Sequence, residues 1–329
     1  MKLRVFVTQP VAQSAIDRLR AIAEVDYYPE TRCIIGKRAL IAAVRRHDIL
    51  FSLLHDRIDH EVITANPKLR AVASMAITPD GIDVAAATAR RIPVTVIPPI
   101  VAEATADLAF ALILAVARRV VEGDRLVRAG VFPGAQSTHL VSAPVYGQTL
   151  GLVGGGGRIG RALARRARGF GMSVLYWGPR QLPQADEQDC AMTYVPFDRL
   201  LSRSDFISLH SPLRPETHHQ VGAREFALMK PTAFLVNTAR GAIVDERALL
   251  RALADKRIAG AGLDVFEHEP AVPPALIKMA NVVLTPHLGS AVADLRERMA
   301  NIVVDNIAAV IEGRMPPNCI NPQIYAATS

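Results

Sequence analysis

Length, composition and charge exclude several classes of protein. The chain has 329 residues and is 50% hydrophobic, which is enough for two domains that each bury a core, and no low-complexity tail indicates disorder. Its net charge of +7 is spread over helical segments with few aromatic residues among them, so we expect no nucleic-acid partner. Small anionic ligands are the expected partners.

The sequence predicts neither a membrane protein nor a secreted one. The first residues, MKLRVFVTQP, predict a short strand and lack the apolar stretch of a signal peptide. The longest apolar run, residues 108–117, is too short to span a bilayer. Cys33, Cys190 and Cys319 form neither a CxxC pair nor a disulfide framework. We therefore expect a cytoplasmic protein in reducing surroundings, with no membrane partner.

The first hundred residues alternate strand-like runs with helical patterns, which predicts a parallel sheet with crossover helices. Strands are expected at LRVFVT, DILFSLL, LRAVASM and IPVTVIP, and helices at VAQSAIDRLRAIA and DVAAATARR. A long helix is expected from about Ala102 to Val121. Gly123, Gly130, Pro133 and Gly134 then predict an irregular excursion.

A second α/β unit begins at QTLGLVGGGGRIG and continues through SVLYW, DFISLH, AFLVNTA, AGAGLDVF and NVVLTP, before a last helix at about 292–312. Since no Gly/Ser linker separates the two units, we expect the chain to leave the first near residue 100 and return near 290. The predicted fold class is α/β, with two Rossmann-like, doubly wound parallel-sheet domains. Residues 1–100 and 290–329 would form a discontinuous, flavodoxin-like substrate domain, and residues 101–289 the dinucleotide-binding domain.

A glycine-rich loop follows the strand TLGLV. Within it, Gly155, Gly157 and Gly160 fit the pattern G-x-G-x-x-G, and the helix RALARRARGF follows. Glycine allows a tight turn and close approach to a pyrophosphate, while the helix N-terminus, at Arg158 and Ile159, presents free N–H groups to the anion. The loop therefore predicts dinucleotide binding.

The next strand, SVLYW, ends at Gly178, where an NAD-binding protein normally has an acidic residue for the ribose 2′-hydroxyl. Loss of that carboxylate removes repulsion toward a 2′-phosphate, and Arg180 lies close enough in sequence to bind one. We predict NADP as the preferred cofactor over NAD. The alternative is that Arg180 is a solvated loop arginine and specificity lies elsewhere.

Three side chains at successive strand ends form a candidate catalytic set for reducing an α-keto acid. Arg240 follows AFLVNTA, Glu269 follows AGAGLDVF and His287 follows NVVLTP. A planar guanidinium matches the substrate carboxylate, and a histidine with a carboxylate partner is suited to donate a proton to the ketone oxygen. Asp264 would orient the nicotinamide amide or support the strand-end loop.

The remaining histidines are weaker candidates. His218 and His219 lie in a polar turn without partner carboxylates or cysteines at zinc spacing, so we predict no metal site. His210, which ends DFISLH, is expected either to line the cofactor groove or to be structural.

These motifs together resemble the D-2-hydroxyacid dehydrogenase family, over nearly the whole chain. The resemblance is carried by TLGLVGGGGRIG, SLHSPLRPET, LMKPTAFLVNTARGAIVDE, AGAGLDVFEHEP and TPHLGS. EATADLAFALILAVARR and ARGFGMSVLYWG are most similar to the glyoxylate and hydroxypyruvate reductase branch, which tends toward NADPH. The resemblance implies that Arg240 binds the substrate carboxylate, His287 donates the proton and Glu269 partners His287. It also implies a homodimer. Further cofactor contacts are predicted within the matching segments, at Thr105, Pro212, Thr217 and Thr238.

The chain departs from the family pattern in three places. Its glycine loop has one residue more than usual, which leaves the phosphate register open. The predicted substrate contacts are Leu54, Ile77 and Thr78. Thr78 and Pro79 stand where the family commonly has a glycine followed by an aromatic residue, and Pro79 has no backbone N–H to donate. Phe132 and Ala135 stand in the excursion where many reductases of this branch have a tryptophan.

The predicted function is therefore hydride transfer from NAD(P)H to a small 2-keto acid, with glyoxylate or hydroxypyruvate favoured. One alternative is a dehydrogenase of the same family with a bulkier keto acid substrate. Another is a nucleotide-sensing binding protein or corepressor-like module of the same fold.

Overall fold

The chain forms two compact units, seen in a computed structural model that describes residues 2–326. The first unit comprises residues 1–100 and 291–329, and the second comprises residues 101–290. Each is built around one sheet of parallel strands, five in the first unit and seven in the second within the described residues. The predicted α/β fold with two parallel sheets is confirmed.

In the first unit the strand order is β2-β1-β3-β4-β5, the flavodoxin-like order of a doubly wound sheet. Its strands are β1 Arg4–Val7, β2 Glu24–Tyr27, β3 Ile49–Ser52, β4 Ala71–Ser74 and β5 Val94–Thr95. The helices between them are α1 Gln13–Ile22, α2 Lys37–Val44, α3 His60–Thr64 and α4 Val84–Ala89.

In the second unit the order is β12-β11-β10-β9-β6-β7-β8, so the direction of winding reverses between β6 and β9. Its strands are β6 Thr149–Val153, β7 Ser173–Trp177, β8 Met192–Tyr194, β9 Phe206–Leu209, β10 Phe234–Asn237, β11 Gly260–Leu263 and β12 Val282–Leu284. Its helices are α5 Ala102–Ala117, α6 Val120–Arg128, α7 Arg158–Arg168, α8 Gln184–Cys190, α9 Phe197–Arg203, α10 Ala223–Leu228, α11 Glu246–Ala254 and α12 Pro274–Lys278. Helix α13, Ala293–Ile311, belongs to the first unit, and short 3-10 turns occupy Pro215–Thr217, Gly241–Ile243 and Pro322–Tyr325.

The central strands are mostly apolar because both faces of each sheet are covered. All four residues of β3, β4, β9, β10 and β11 are buried. In the second unit, one hydrophobic cluster contains Leu209, Leu235 and Leu249, and another contains Leu152, Leu163 and Phe206. Burial on both faces fixes the strand register and hence the position of each strand-end loop.

Two strands, β2 and β8, were not predicted. Both lie at the edge of their sheet, and β2 has mostly exposed residues. An edge strand has only one neighbour and needs little apolar surface, so its sequence carries a weak signal.

The predicted helix from Ala102 to Val121 is wrong in its extent. Helix α5 ends at Ala117, Arg119 adopts a left-handed conformation with φ 55°, and α6 continues through Gly123 into the segment expected to be irregular. The Arg119 guanidinium donates to both Glu122 carboxylate oxygens at 2.9 Å, which stabilises the break by closing the first turn of α6. Of the helices in residues 2–326, none is both long and apolar enough to cross a membrane.

Candidate active site

The glycine loop leaves β6 next to the point where the winding of the sheet reverses, the usual ligand site of such folds. A Cβ on Gly160 would lie 2.4 Å from the Gly155 carbonyl oxygen, and a Cβ on Gly155 would lie 2.7 Å from the Cβ atoms of Leu152 and Tyr176, so both positions need glycine. Gly157 is the extended N-cap of α7. Gly154, at the start of the loop, has a φ of 77°, which lies in the left-handed region that favours glycine.

Helix α7 presents its N-terminus at this loop. Arg158 is exposed and Ile159 half-buried, and the first backbone N–H groups of the helix have no acceptor within it. The geometry therefore fits a pyrophosphate, since oriented N–H groups and the helix dipole both favour an anion there.

Gly178 follows β7 directly. A Cβ at this position would meet no atom closer than 3.9 Å, so the site has room for a side chain but no carboxylate stands there. Arg180, two residues on, is exposed and makes no hydrogen bond or ion pair with the described residues. Its guanidinium is available to an anionic ligand.

His210 follows β9, across the winding reversal from the glycine loop. Its backbone N–H donates to the Val153 carbonyl at 2.7 Å. Both ring nitrogens are buried without a partner in residues 2–326, although part of the residue is exposed. Burial lowers the pKa of His210 to about 4, so the ring is neutral near pH 7.

Asp264, just after β11, holds the loop that carries His287. Its carboxylate accepts hydrogen bonds from the Thr285 hydroxyl at 2.6 Å and from the backbone N–H groups of Leu288 and Gly289 at 2.7 and 2.9 Å. Burial raises the pKa of the Asp264 carboxyl, and the Thr285 hydrogen bond opposes that rise. Of the two predicted roles for Asp264, support of the strand-end loop is the one that these contacts describe.

His287 and Glu269 are brought together. The Nδ1 atom of His287 lies 2.9 Å from Glu269 Oε2, and Glu269 Oε1 accepts the Phe266 backbone N–H at 2.9 Å. His287 itself has a left-handed φ of 57°, an uncommon conformation outside glycine that often occurs at functional sites. Because Nδ1 faces the carboxylate, Nε2 is the atom able to exchange a proton with a ligand.

Arg240 follows β10 in a turn held by Asn237. The Asn237 side chain donates to the Arg240 carbonyl and accepts from the Ala239 backbone N–H, each at 3.0 Å. A Cβ on the next residue, Gly241, would lie 1.9 Å from the Phe266 carbonyl group, so the Arg240 turn packs directly against the loop that leads to Glu269. The two loops are thus neighbours in space as well as in strand order.

The other predicted cofactor residues have different surroundings. The Thr105 hydroxyl donates to the Val101 carbonyl at 2.9 Å and to the Gly289 carbonyl at 3.1 Å, which ties α5 to the His287 loop. The Thr217 hydroxyl donates to the Pro212 carbonyl at 2.6 Å. Thr238 is buried, and its hydroxyl has no partner among the described residues.

The predicted substrate contacts other than Arg240 lie in the first unit. Leu54 follows β3, and Ile77 and Thr78 follow β4, all half-buried. The Thr78 hydroxyl donates to the Asp80 carboxylate at 2.9 Å, which shapes the loop around Pro79.

Sequence reasoning was wrong about the surroundings of His219 and missed several supporting residues. The Nε2 atom of His219 lies 2.8 Å from Glu267 Oε1, so this histidine does have a carboxylate partner. Asn237 and Thr285 were also missed, although both lie within the motifs that carry Arg240 and His287. The Asn237 contacts are local, within the NTARG motif, whereas Thr285 pairs with Asp264 across 21 residues, which no local pattern reveals.

Comparison with known proteins decides the family. The sequence pattern of the NAD-binding domain of D-isomer specific 2-hydroxyacid dehydrogenases matches residues 110–289. The chain belongs to this family. It is therefore an oxidoreductase with a nicotinamide cofactor, as predicted.

Individual relatives extend the likeness to the whole chain. The chain is 45% identical to the glyoxylate reductase of Thermococcus litoralis over 100% of this chain and 99% of the relative. It is 48% identical to the glyoxylate reductase of Korarchaeum cryptofilum over 98% and 97%. The solved NADPH-dependent glyoxylate/hydroxypyruvate reductase of Sinorhizobium meliloti superposes with a TM-score of 0.78 and 31% identity, over 97% of this chain and 98% of that one.

Proposed function

We propose that this enzyme reduces a small 2-keto acid, glyoxylate or hydroxypyruvate, to the D-2-hydroxy acid with NAD(P)H. The observation that carries the proposal is the 2.9 Å hydrogen bond between Glu269 and His287, placed after adjacent parallel strands. The two relatives named glyoxylate reductase, 45% and 48% identical, support the same substrate class.

His287 is the proposed proton donor. Reduction adds a hydride to the carbonyl carbon and a proton to the carbonyl oxygen, and the nicotinamide supplies the hydride when the dinucleotide is bound. The proton would leave His287 from Nε2, since Nδ1 faces Glu269. Glu269 would hold the ring in position and balance its charge while it is protonated.

Arg240 is the proposed anchor for the substrate carboxylate. A guanidinium remains charged at any working pH and binds a carboxylate through two parallel hydrogen bonds. The Asn237 contacts fix the backbone of the turn, so the fork would be presented in a constant direction. We also propose that Leu54, Ile77 and Thr78 of the first unit contact the substrate.

NADP is the proposed preferred cofactor, supported by the empty space at Gly178, the exposed Arg180 and the NADPH dependence stated for the Sinorhizobium meliloti relative. Arg180→Ala should raise the KM for NADPH about tenfold and leave that for NADH nearly unchanged. Arg199→Ala, another exposed arginine of the same unit, is the control. A wild-type enzyme that prefers NADH would contradict this assignment.

We assign pyrophosphate binding to Gly155, Gly157, Arg158, Ile159 and Gly160, where the N-terminus of α7 meets the loop. His210 is proposed to bind the cofactor through its ring, which is supported by its two buried ring nitrogens without a partner in residues 2–326. A buried polar atom usually has a hydrogen-bond partner, and a bound dinucleotide would supply one. Thr105, Pro212, Thr217, Thr238 and Asp264 remain predicted cofactor contacts.

A homodimer through α6 is proposed as the assembly. None of the nine residues of α6 is buried, and Phe132, just beyond it, is 79% exposed. Exposed apolar surface of this kind is typical of subunit contacts. Val127→Asp should produce monomers in analytical ultracentrifugation, whereas Ile277→Asp should not, although Val127 and Ile277 are 57% and 58% exposed. A wild-type monomer would refute the dimer.

The cytoplasm is the proposed compartment. Cys33, Cys190 and Cys319 are all free thiols, and free thiols are typical of reducing surroundings. A thiol titration of freshly isolated enzyme should find all three cysteines reduced, and a disulfide would contradict the assignment.

A panel of keto acids tests the function directly. Purified enzyme with NADPH should turn over glyoxylate and hydroxypyruvate faster than bulkier 2-keto acids. His287→Ala should lower kcat by at least about 100-fold, the usual contribution of a general acid, while NADPH still binds. The exposed His60→Ala should retain full activity. Turnover that survives in His287→Ala would reject the proton-donor role.

A further inference from the structure

Glu267 lies two residues before Glu269 and connects the loop of the catalytic carboxylate to two other segments. Its side chain is only 15% exposed, and its Oε1 atom lies 2.8 Å from His219 Nε2. Its Oε2 atom accepts the Glu246 backbone N–H at 3.2 Å, and Glu246 Oε1 accepts the Glu267 backbone N–H at 2.9 Å. Both carboxylate oxygens and the backbone of Glu267 are therefore held from outside their own loop.

The charges around Glu267 favour its ionised form. Burial is the largest single influence and opposes ionisation, but the hydrogen bonds from His219 and the Glu246 backbone N–H, with the charge of His219, together hold the pKa of Glu267 below its usual range. His268 also lies near enough to lower that pKa, whereas burial raises the pKa of the neighbouring Glu246. The surroundings of Glu267 thus favour its carboxylate form, and His219 is its closest side-chain partner.

Glu267 is linked directly to the pair formed by Glu269 and His287. Phe266, adjacent to Glu267, donates its backbone N–H to Glu269 Oε1, and Glu269 Oε2 faces His287. A shift of Glu267 would therefore move the donor that orients the Glu269 carboxylate. The turn of Arg240 has its own support from the Asn237 side chain.

We propose that Glu267 is a positioning residue which, held by His219 and the backbone of Glu246, sets the direction in which Glu269 faces His287. The proposal rests on the proposed proton transfer through His287. It assigns Glu267 to the chemical step and not to binding of the substrate carboxylate.

Steady-state kinetics of Glu267 and His219 variants test this assignment. Glu267→Ala should lower kcat about 10- to 100-fold, because a small misplacement of a catalytic group has effects of that size. The KM for the keto acid should stay within about threefold, since the Asn237 side chain also holds the turn of Arg240. His219→Ala should lower kcat in the same direction by a smaller factor. Asp198→Ala, which removes an exposed carboxylate paired with Arg224 in the same unit, is the control and should change neither constant.

Glu267→Gln separates positioning from general damage to the fold. The amide retains an oxygen for the Glu246 N–H and a second polar atom for His219, so kcat should recover to within about threefold of the wild type. Equal losses in kcat for Glu267→Ala, Glu267→Gln and Asp198→Ala would overturn the proposal. So would a loss confined to KM.

A measurement that needs no turnover distinguishes the positioning role of Glu267 from the proposed function. Nuclear magnetic resonance of the His287 Nδ1 proton should show a downfield signal from the hydrogen bond to Glu269. The signal should be present in the wild type and in Asp198→Ala, and lost or shifted upfield in Glu267→Ala. If no keto acid is reduced but the signal still depends on Glu267, the positioning role holds and the proposed function fails. An unchanged signal in Glu267→Ala would reject the positioning role whatever the activity.

Discussion

Asp264 and Asp56 are both buried carboxyl groups beyond a strand end, one in each unit, and they differ in how they are paired. Both side chains are almost fully buried, and burial raises the pKa of both. Asp264 uses both oxygens, with three hydrogen bonds from the loop of His287. Asp56 uses only Oδ2, which accepts from the Thr8 hydroxyl and from the Leu53 backbone N–H, while Oδ1 has no partner in residues 2–326.

The difference shows what a buried carboxylate contributes in each place. When both oxygens of a carboxylate accept hydrogen bonds, replacement by an amide turns the NH2 group of that amide toward one of the former donors. A group with one unused oxygen can place the amide nitrogen there and keep its accepted hydrogen bonds. We infer that the geometry around His287 requires a carboxylate, whereas the loop around Leu54 requires only an acceptor.

Asp264→Asn should have the largest effect. The new amide would face the Gly289 or the Leu288 backbone N–H, which leaves a buried donor unsatisfied at a cost of about 1–3 kcal/mol. We expect kcat/KM to fall about 10- to 100-fold and the unfolding free energy to fall by about 2 kcal/mol. Kinetics and urea unfolding measure the two effects. Wild-type kinetics in this variant would remove the distinction between the two aspartates.

His210 is a buried side chain that becomes a cation when it is protonated. Its replacement should have an effect of intermediate size. Its pKa is about 4 when folded and near 6.5 when unfolded, so the unfolded chain takes up a proton first as pH falls. The stability that the neutral ring contributes is therefore present above pH 6.5 and is lost progressively as pH falls toward 4.

Between pH 7.5 and 4.5, the wild type should lose on the order of 2 kcal/mol more unfolding free energy than His210→Gln, which cannot titrate. Chemical unfolding at the two pH values provides the measurement. Parallel losses in the two proteins would show that the folded ring takes up a proton as readily as the unfolded one.

Asp56→Asn should have the smallest effect. Asparagine can keep the hydrogen bonds from Thr8 and Leu53, so the unfolding free energy at pH 7 should change by less than about 1 kcal/mol. Because the folded pKa of Asp56 is raised, wild-type stability relative to this variant should increase as pH falls through the folded pKa toward the unfolded value. Thermal unfolding at pH 7 and pH 4 checks the sign. A large loss at pH 7 would mean that the Asp56 charge itself is needed.

Much of the site was predictable because parallel strands deliver their carboxyl ends to one edge of a sheet. Arg240, Glu269 and His287 each follow an apolar run, and β10, β11 and β12 are neighbours in the sheet. The same rule placed the glycine loop at β6. Short exposed strands such as β2, and the left-handed break at Arg119, were missed because neither has a strong local pattern.

The sequence by itself determined where apolar runs, glycine turns and reactive side chains lie along the chain, since these depend on local periodicity and residue type. Only the tertiary structure decided which polar groups meet. Thr285 reaches Asp264 across 21 residues and His219 reaches Glu267 across 48. Such pairs depend on strand order and loop shape, so no periodicity in the sequence reveals them. These pairings lie in the loops that carry His287 and Glu269.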